Sequence, residues 1–216
     1  MAKNPDDSAP AGRDAVLVLE SLACERGERR LFSGLDLRAS AGEIVWLRGA
    51  NGQGKTTLLR TIAGLSAPAA GRVERQGAAA AWRCLYLGHA NALKDDLTAA
   101  ESLRFLLRLA GDDARPAVIE ASLARFGMAG RRNAPVRTLS QGQRRRVALA
   151  RLAASPAPGL WLLDEPYDAL DDDGVASLDA VLGEHARRGG IVVLTSHLPI
   201  GLADPRPVSV QLGSAA

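Results

Sequence analysis

Lysine is nearly absent from this chain of 216 residues, where only Lys3, Lys55 and Lys94 occur. Arginine supplies the rest of the 27 basic residues. A retained lysine therefore marks a place where a compact ammonium does what a planar guanidinium does not. Cysteine is equally scarce: Cys24 and Cys84 are the only two, which excludes a disulfide framework and leaves both to be read as small buried hydrophobes. No run of about 18 or more uncharged apolar residues exists, so nothing reads as membrane-spanning. Residues 1–14 are polar and rich in Ala, Pro and Asp, lack the apolar centre of a signal peptide, and read as a disordered tail. There is no internal repeat. A net charge of +3 suits an anionic membrane face or simply reflects arginine-rich codon usage, and it is too small to argue for nucleic acid as a partner. The 47% hydrophobic content is ample for one compact domain.

Against this background one lysine stands in a glycine loop. Gly49-Ala50-Asn51-Gly52-Gln53-Gly54-Lys55-Thr56-Thr57 has the G-x-x-x-x-G-K-[ST] spacing. It follows an apolar, β-branched run, Ile44–Leu47, that reads as a buried parallel strand, and it leads into a helix start. Glycines let backbone N–H groups turn inward around phosphates, and the helix N-terminus adds its partial positive charge. Lys55 is expected to reach the β- and γ-phosphates of a nucleotide, and the Thr56 hydroxyl to ligate Mg²⁺. A plain glycine turn before an ordinary helix would not account for the lysine.

A second apolar strand, Gly159–Leu163, ends in Asp164-Glu165-Pro166. Neighbouring strand residues point to opposite faces, but where the chain turns at a strand end both carboxylates can face one site. Asp164 is expected to hold Mg²⁺ and Glu165 to polarise an attacking water.

Leu139-Ser140-Gln141-Gly142-Gln143 precedes the apolar stretch Val147–Ala150. Ser140-x-x-Gln143 is a capping box, and a helix start with a serine hydroxyl and free N–H groups also binds anions. Thr98-x-x-Glu101 is a second capping box, to which no chemistry is assigned. Residues 15–48 otherwise read as antiparallel strands leading to the loop, and Arg72–Arg75 and Trp82–Leu87 as further strands. The pattern turns helical from Thr98 to about Leu152, with Leu103, Leu106, Leu107 and Ala110 on one face. Arg144-Arg145-Arg146 reads as a solvated helix face. His185, beside Arg187 and Arg188 at a helix end, reads as a cation complementing the helix dipole.

The order of these motifs, with Ala169-Leu170-Asp171 after the acidic pair and Thr195-Ser196-His197 after the strand Ile191–Leu194, resembles the nucleotide-binding subunits of ATP-binding cassette (ABC) transporters over nearly the whole chain. The resemblance implies an α/β fold: a phosphate-loop (RecA-like) core sheet, an N-terminal antiparallel β subdomain and an inserted α-helical subdomain. Residues 15–90 and 155–216 would form the core and about 91–154 the helical subdomain. It implies a homodimer with ATP and Mg²⁺ between the copies. Each phosphate loop would face the other copy's Ser140, Gly142 and Gln143, with Asp171 coupling the subunits and His197 contacting the γ-phosphate.

A narrower resemblance rests on Leu22-x-Cys24-Glu25-Arg26, Arg30–Leu35 and Tyr86-Leu87-Gly88-His89-Ala90-Asn91-Ala92-Leu93-Lys94. These segments are similar to the CcmA family, haem-exporter ATPases of cytochrome c maturation. That likeness implies an integral membrane permease as partner and a peripheral place on the cytoplasmic face of the bacterial inner membrane. ATP hydrolysis would drive haem export or release of a holo-haem chaperone. His89 stands where most ABC domains carry a glutamine that contacts Mg²⁺ and the attacking water, so basal turnover is expected to be slow. Arg26 stands where most stack an aromatic on adenine; a guanidinium plane can stack on a base as well. Gln141 replaces the first glycine of the signature, while Ser140 and Gly142 remain. The rivals are an ABC ATPase serving another substrate, a soluble ABC protein without a membrane partner, and a phosphate-loop kinase or GTPase. The serine signature and the lack of an Asn-Lys-x-Asp motif count against the last.

Overall fold

The structure is a computed structural model that describes residues 14–155 and 157–213; the tail expected over residues 1–14 lies, Asp14 apart, outside the described residues. Strands β1 (Val16–Arg26) and β2 (Arg29–Ser40) form a hairpin, and β4 (Ala70–Gln76) pairs antiparallel with the other edge of β1, giving the order β2-β1-β4. The antiparallel pairing stops at Ser40. From there β3 (Ile44–Arg48) enters a second sheet, all parallel, with β5 (Cys84–Leu87), β6 (Leu160–Leu163), β7 (Ile191–Thr195) and β8 (Val208–Gln211) in the order β5-β6-β7-β3-β8.

The central strands are apolar on both faces, as strands covered from two sides must be. Their residues divide by the two-residue period of a strand. Val45, Leu47, Leu160, Leu162, Ile191 and Val193 pack with the antiparallel sheet and with Leu58 and Leu59 of helix α1 (Lys55–Ile62). Ile44, Trp161, Leu163, Val192 and Leu194 pack on the other side, against α2 (Ala99–Ala110), α3 (Pro116–Arg125), α4 (Gln141–Ala153) and α5 (Asp172–Arg187).

Helices α2, α3 and α4 lie in sequence between β5 and β6 and bury one another through Leu103, Leu107, Ile119, Leu123, Val147 and Leu149. Both capping boxes form. The Thr98 hydroxyl accepts from the Glu101 amide at the start of α2, and the Ser140 hydroxyl accepts from the Gln143 amide at the start of α4. On α2 the expected face is turned inward at Leu103, Leu106 and Leu107, and Ala110 is half-buried, while Phe105 and Leu109 are exposed. None of the described helices is long and apolar enough to cross a membrane.

His185 departs from its reading as a dipole-complementing cation. It faces inward from α5 with no exposed surface, and its ring stacks on Trp161 at 3.6 Å between centroids and 9° between planes. Its Nε2 lies 3.0 Å from the Gly159 carbonyl. Burial, opposed by that hydrogen bond, lowers its pKa to about 4, so the ring is neutral and Nε2 donates. The neighbouring arginines mark the helix end, but periodicity turns position 185 toward the sheet. Gly190 makes the room: a Cβ there would run into the imidazole.

Candidate functional site

The carboxyl ends of the parallel strands meet at one cleft, the usual place for a ligand in an open α/β sheet. β3 delivers the glycine loop, β5 the Gly88-His89 segment, β6 the acidic pair and β7 the Thr195–His197 segment. Arg26, Asn51, Gly52, Gly54, Lys55, Thr56, Thr57, His89, Asp164, Glu165 and His197 all line the cleft.

The curve of the loop is set by its glycines and by contacts within it. Gly52 and Gly54 have φ of 81° and 95°, a left-handed backbone that side chains resist. Gln53 turns back so that its Oε1 accepts from the Ala50 amide at 2.7 Å, and a Cβ on Gly49 would run into that same oxygen. Gly49 and Gln53 thus shape the loop from behind rather than line the cleft. Lys55 opens α1, is 8% exposed, and donates to the Gly49 carbonyl at 2.6 Å. The ammonium is therefore held inside the curve of amides where an anionic group would sit.

Across from the loop, Asp164 is 3% and Glu165 8% exposed. Thr56 donates to Asp164 Oδ2 at 2.8 Å, and Thr195 donates to Asp164 Oδ1 at 3.1 Å. The Thr195 hydroxyl in turn accepts from the Glu165 amide at 2.8 Å, so one side chain fixes both acidic residues. Glu165 has φ of 49°, left-handed for a residue with a Cβ. That turn bends the strand end so that both carboxylates point into the same cleft. The Glu165 carboxylate accepts from the His197 amide at 3.0 Å and lies 3.4 Å from its Nε2. Strain of this kind, held by its surroundings, is a mark of functional sites.

His89 is 75% exposed at the cleft wall, with Nδ1 3.7 Å from Asp168. Arg26, at the end of β1, brings a guanidinium to the outer wall. Thr56 and Asp164 offer hard oxygen donors side by side, which fits Mg²⁺. That ion takes one or two carboxylates together with substrate phosphates rather than a cage of protein ligands. Among the described residues no group of three or more His, Cys, Asp or Glu is arranged to hold a metal.

Ser140, Gly142, Gln143 and Asp171 lie outside this cleft. Ser140 accepts as the N-cap of α4 and keeps its own O–H to donate. Gly142 touches the segment after the acidic pair: a Cβ there would lie 2.5 Å from the Ala169 carbonyl, and Ala169 itself sits at φ of 61°. Asp171 is the N-cap of α5, accepting from the Gly174 amide at 3.0 Å, and it pairs with Arg146. Arg146, then the Gly174 amide, hold its carboxyl below the usual range. Gln141 is exposed at the first helical position, where its side chain meets no obstacle.

The arginine run is not a solvated face. Arg144 caps the Leu139 and Arg137 carbonyls at 3.2 Å each, and Arg146 reaches Asp171 and the Phe126 carbonyl. Arg145 is buried, 3% exposed, beneath Asp164 and Glu165. Sequence reasoning missed it because three successive arginines on a helix look alike, although at about 100° a residue the run spans about 200°, enough to turn one of the three toward the packed side. Thr195 was visible beside His197, but nothing in its type announces a bridge between two carboxylate residues.

A loop, an acidic pair and a strand-end histidine around one cleft, with a capped serine helix apart from it, define a phosphate-loop ATPase domain. Comparison with known proteins gives the same class. The family model described as ABC transporter matches residues 32–168. An ABC transporter ATP-binding protein from Pyrococcus furiosus superposes with a TM-score of 0.79 over 91% of this chain and 97% of its own, at 23% identity, a likeness of fold. The chain belongs to the ABC transporter ATP-binding family, and membership carries ATP binding with it. Within that family it belongs with CcmA. The cytochrome c biogenesis ATP-binding export protein CcmA of Saccharophagus degradans is 45% identical over 206 residues, 89% of this chain and 92% of the relative. Its namesake from Escherichia coli O157:H7 is 46% identical over 204 residues, 91% and 96% of the two chains.

Proposed function

We propose that this chain is the ATP-hydrolysing subunit of a membrane export complex of cytochrome c biogenesis, coupling hydrolysis to export of haem or release of its loaded chaperone. The observation that carries the hydrolytic part is the aimed Glu165, turned into the cleft by a left-handed backbone and held by Thr195 and His197. The loop amides and Lys55 receive the phosphates, and the Arg26 guanidinium faces the base. Glu165 draws a proton from the water that attacks the γ-phosphorus, the bond to the β-phosphate oxygen breaks, and ADP and phosphate leave. Thr56 and Asp164 would hold Mg²⁺, which would neutralise phosphate charge. His197 reaches the γ-phosphate, and His89 faces the water.

One copy supplies only part of the enclosure. The signature residues Ser140, Gly142 and Gln143 do not line this copy's own cleft. A second copy completes it by presenting Ser140, Gly142 and Gln143 to the phosphates, with Asp171 at the seam. Residues 15–90 and 155–216 then act as the core and about 91–154 as a helical subdomain. The exposed Phe105 and Leu109, on the helix whose Leu106 shares a groove with His89, suit an apolar segment of a membrane permease. That partner would keep the subunit at the cytoplasmic face of the inner membrane.

The test is a covalent-haem stain of c-type cytochromes in a strain lacking the gene, complemented by wild type or by Glu165→Gln. The stain should vanish on deletion and return only with wild type. Normal staining in the deletion strain would remove the biogenesis role and leave the ATPase reading standing.

A further inference from the structure

A charged group as buried as Asp164 lies beneath the site, and the ATPase reading assigns it no role. Arg145 sits in the second turn of α4, five residues beyond Ser140, and its guanidinium reaches across to the sheet. Each of its five N–H groups has an acceptor. Nε donates to the Pro166 carbonyl at 3.3 Å. Nη1 donates to the Gly88 carbonyl at 3.1 Å and to Asn91 Oδ1 at 3.0 Å. Nη2 donates to the Asp164 carbonyl at 3.0 Å and to the Glu165 carbonyl at 2.6 Å. Burial lowers its pKa, and the Asp168, Asp164 and Glu165 carboxylates oppose the shift.

The identity of the acceptors is what matters. Three are successive carbonyls of the strand end that carries the catalytic pair, and two belong to the loop on either side of His89. The shortest of the five bonds falls on Glu165, whose backbone is the strained one. A left-handed Glu165 persists only where its surroundings over-determine it. Thr195 holds its amide and Arg145 holds its carbonyl. The whole arrangement hangs from the helix that begins at Ser140.

Resting on the reading of Glu165 as the hydrolytic base, we infer that Arg145 is a positioning residue for ATP hydrolysis, joining the signature helix, the His89 loop and the Glu165 turn into one unit. It does not line the cleft. It transmits a movement of α4, whose tip faces the partner's nucleotide in the dimer, to this copy's own base and to the loop beside the membrane partner. A guanidinium is required because the acceptors lie in a fan around one plane; a lysine presents a single nitrogen and covers only part of them.

The experiment is steady-state ATPase kinetics of the full chain carrying Arg145→Lys, with far-UV circular dichroism and thermal unfolding as the measure of folding. Arg145→Lys should lower kcat by on the order of ten- to a hundredfold, the scale of a catalytic group displaced by about 1 Å. KM for ATP should stay near wild type, because Lys55 and the loop amides are untouched. The loss should not add to that of Glu165→Gln, since both act through one carboxylate. A folded Arg145→Lys with wild-type kcat, or losses that add in full, would overturn the inference. Should Arg145→Lys not fold, Asn91→Ala removes the one side-chain acceptor without disturbing the buried charge; a several-fold fall in kcat supports the link, and an unchanged kcat refutes it. Absence of ATPase activity in the wild type would instead sink the reading of the site itself.

Discussion

At the scale of single residues, chemistry that depends on type and spacing was legible and chemistry that depends on facing was not. Lys55, Thr56, Asp164, Glu165 and His197 were named from motifs, and the structure brings all five to one cleft. The turn that aims Glu165 could not be read, because φ of 49° is imposed by tertiary hydrogen bonds rather than by residue type. Arg145 and His185 were misread for one reason: both sit among arginines, and charge in the neighbourhood hid an inward direction. His185 has a consequence for stability. Its folded pKa of about 4 lies below the ordinary 6.5, so the unfolded chain takes up the proton first. The contribution is complete above about pH 6.5, declines as pH falls from there, and is fully lost below about pH 4, with a total on the order of 3 kcal/mol. Chemical denaturation across that window should show the decline in wild type, and His185→Phe, which keeps an aromatic against Trp161, should flatten it. An equal slope in both proteins would place the titration elsewhere.

At the scale of elements, the sequence announced most strands and helices through period and caps. Ile44–Leu47, Gly159–Leu163 and Ile191–Leu194 read as buried strands, and both capping boxes formed where serine or threonine preceded glutamine or glutamate. β8 carries no clear strand signal, because three of its four residues are exposed at the sheet edge and leave no strong apolar alternation. How elements touch was also hidden. Gly142 looks like a residue kept for phosphate binding, yet its hydrogen side is pressed by the Ala169 carbonyl. Gly142→Ala should therefore destabilise the isolated chain by about 1–3 kcal/mol, as an overpacked contact against backbone does. Gln141→Ala at the neighbouring exposed position should stay within about 0.5 kcal/mol. Urea midpoints at equal slope decide the matter. Unchanged stability for Gly142→Ala would mean that the Ala169 segment yields freely.

At the scale of the whole molecule, the arrangement is divided by design. The loop, the acidic pair and the strand-end histidine share one cleft, while Ser140, Gly142, Gln143 and Asp171 lie away from it. In the proposed working form two copies meet head to tail, and each set completes the other. The energy of ATP binding is then useful to a membrane partner only insofar as that partner distinguishes the closed pair from open single copies. Arg145, if it joins the signature helix to Glu165, gives the closed pair a route to its own hydrolysis. The measurement that tests this account most directly is the solution mass of Glu165→Gln, by size exclusion with light scattering, with and without ATP and Mg²⁺. The account predicts one chain without nucleotide, two chains with ATP, and one chain again when Lys55→Ala is added to the same protein. A Glu165→Gln chain that binds ATP and stays single would contradict it.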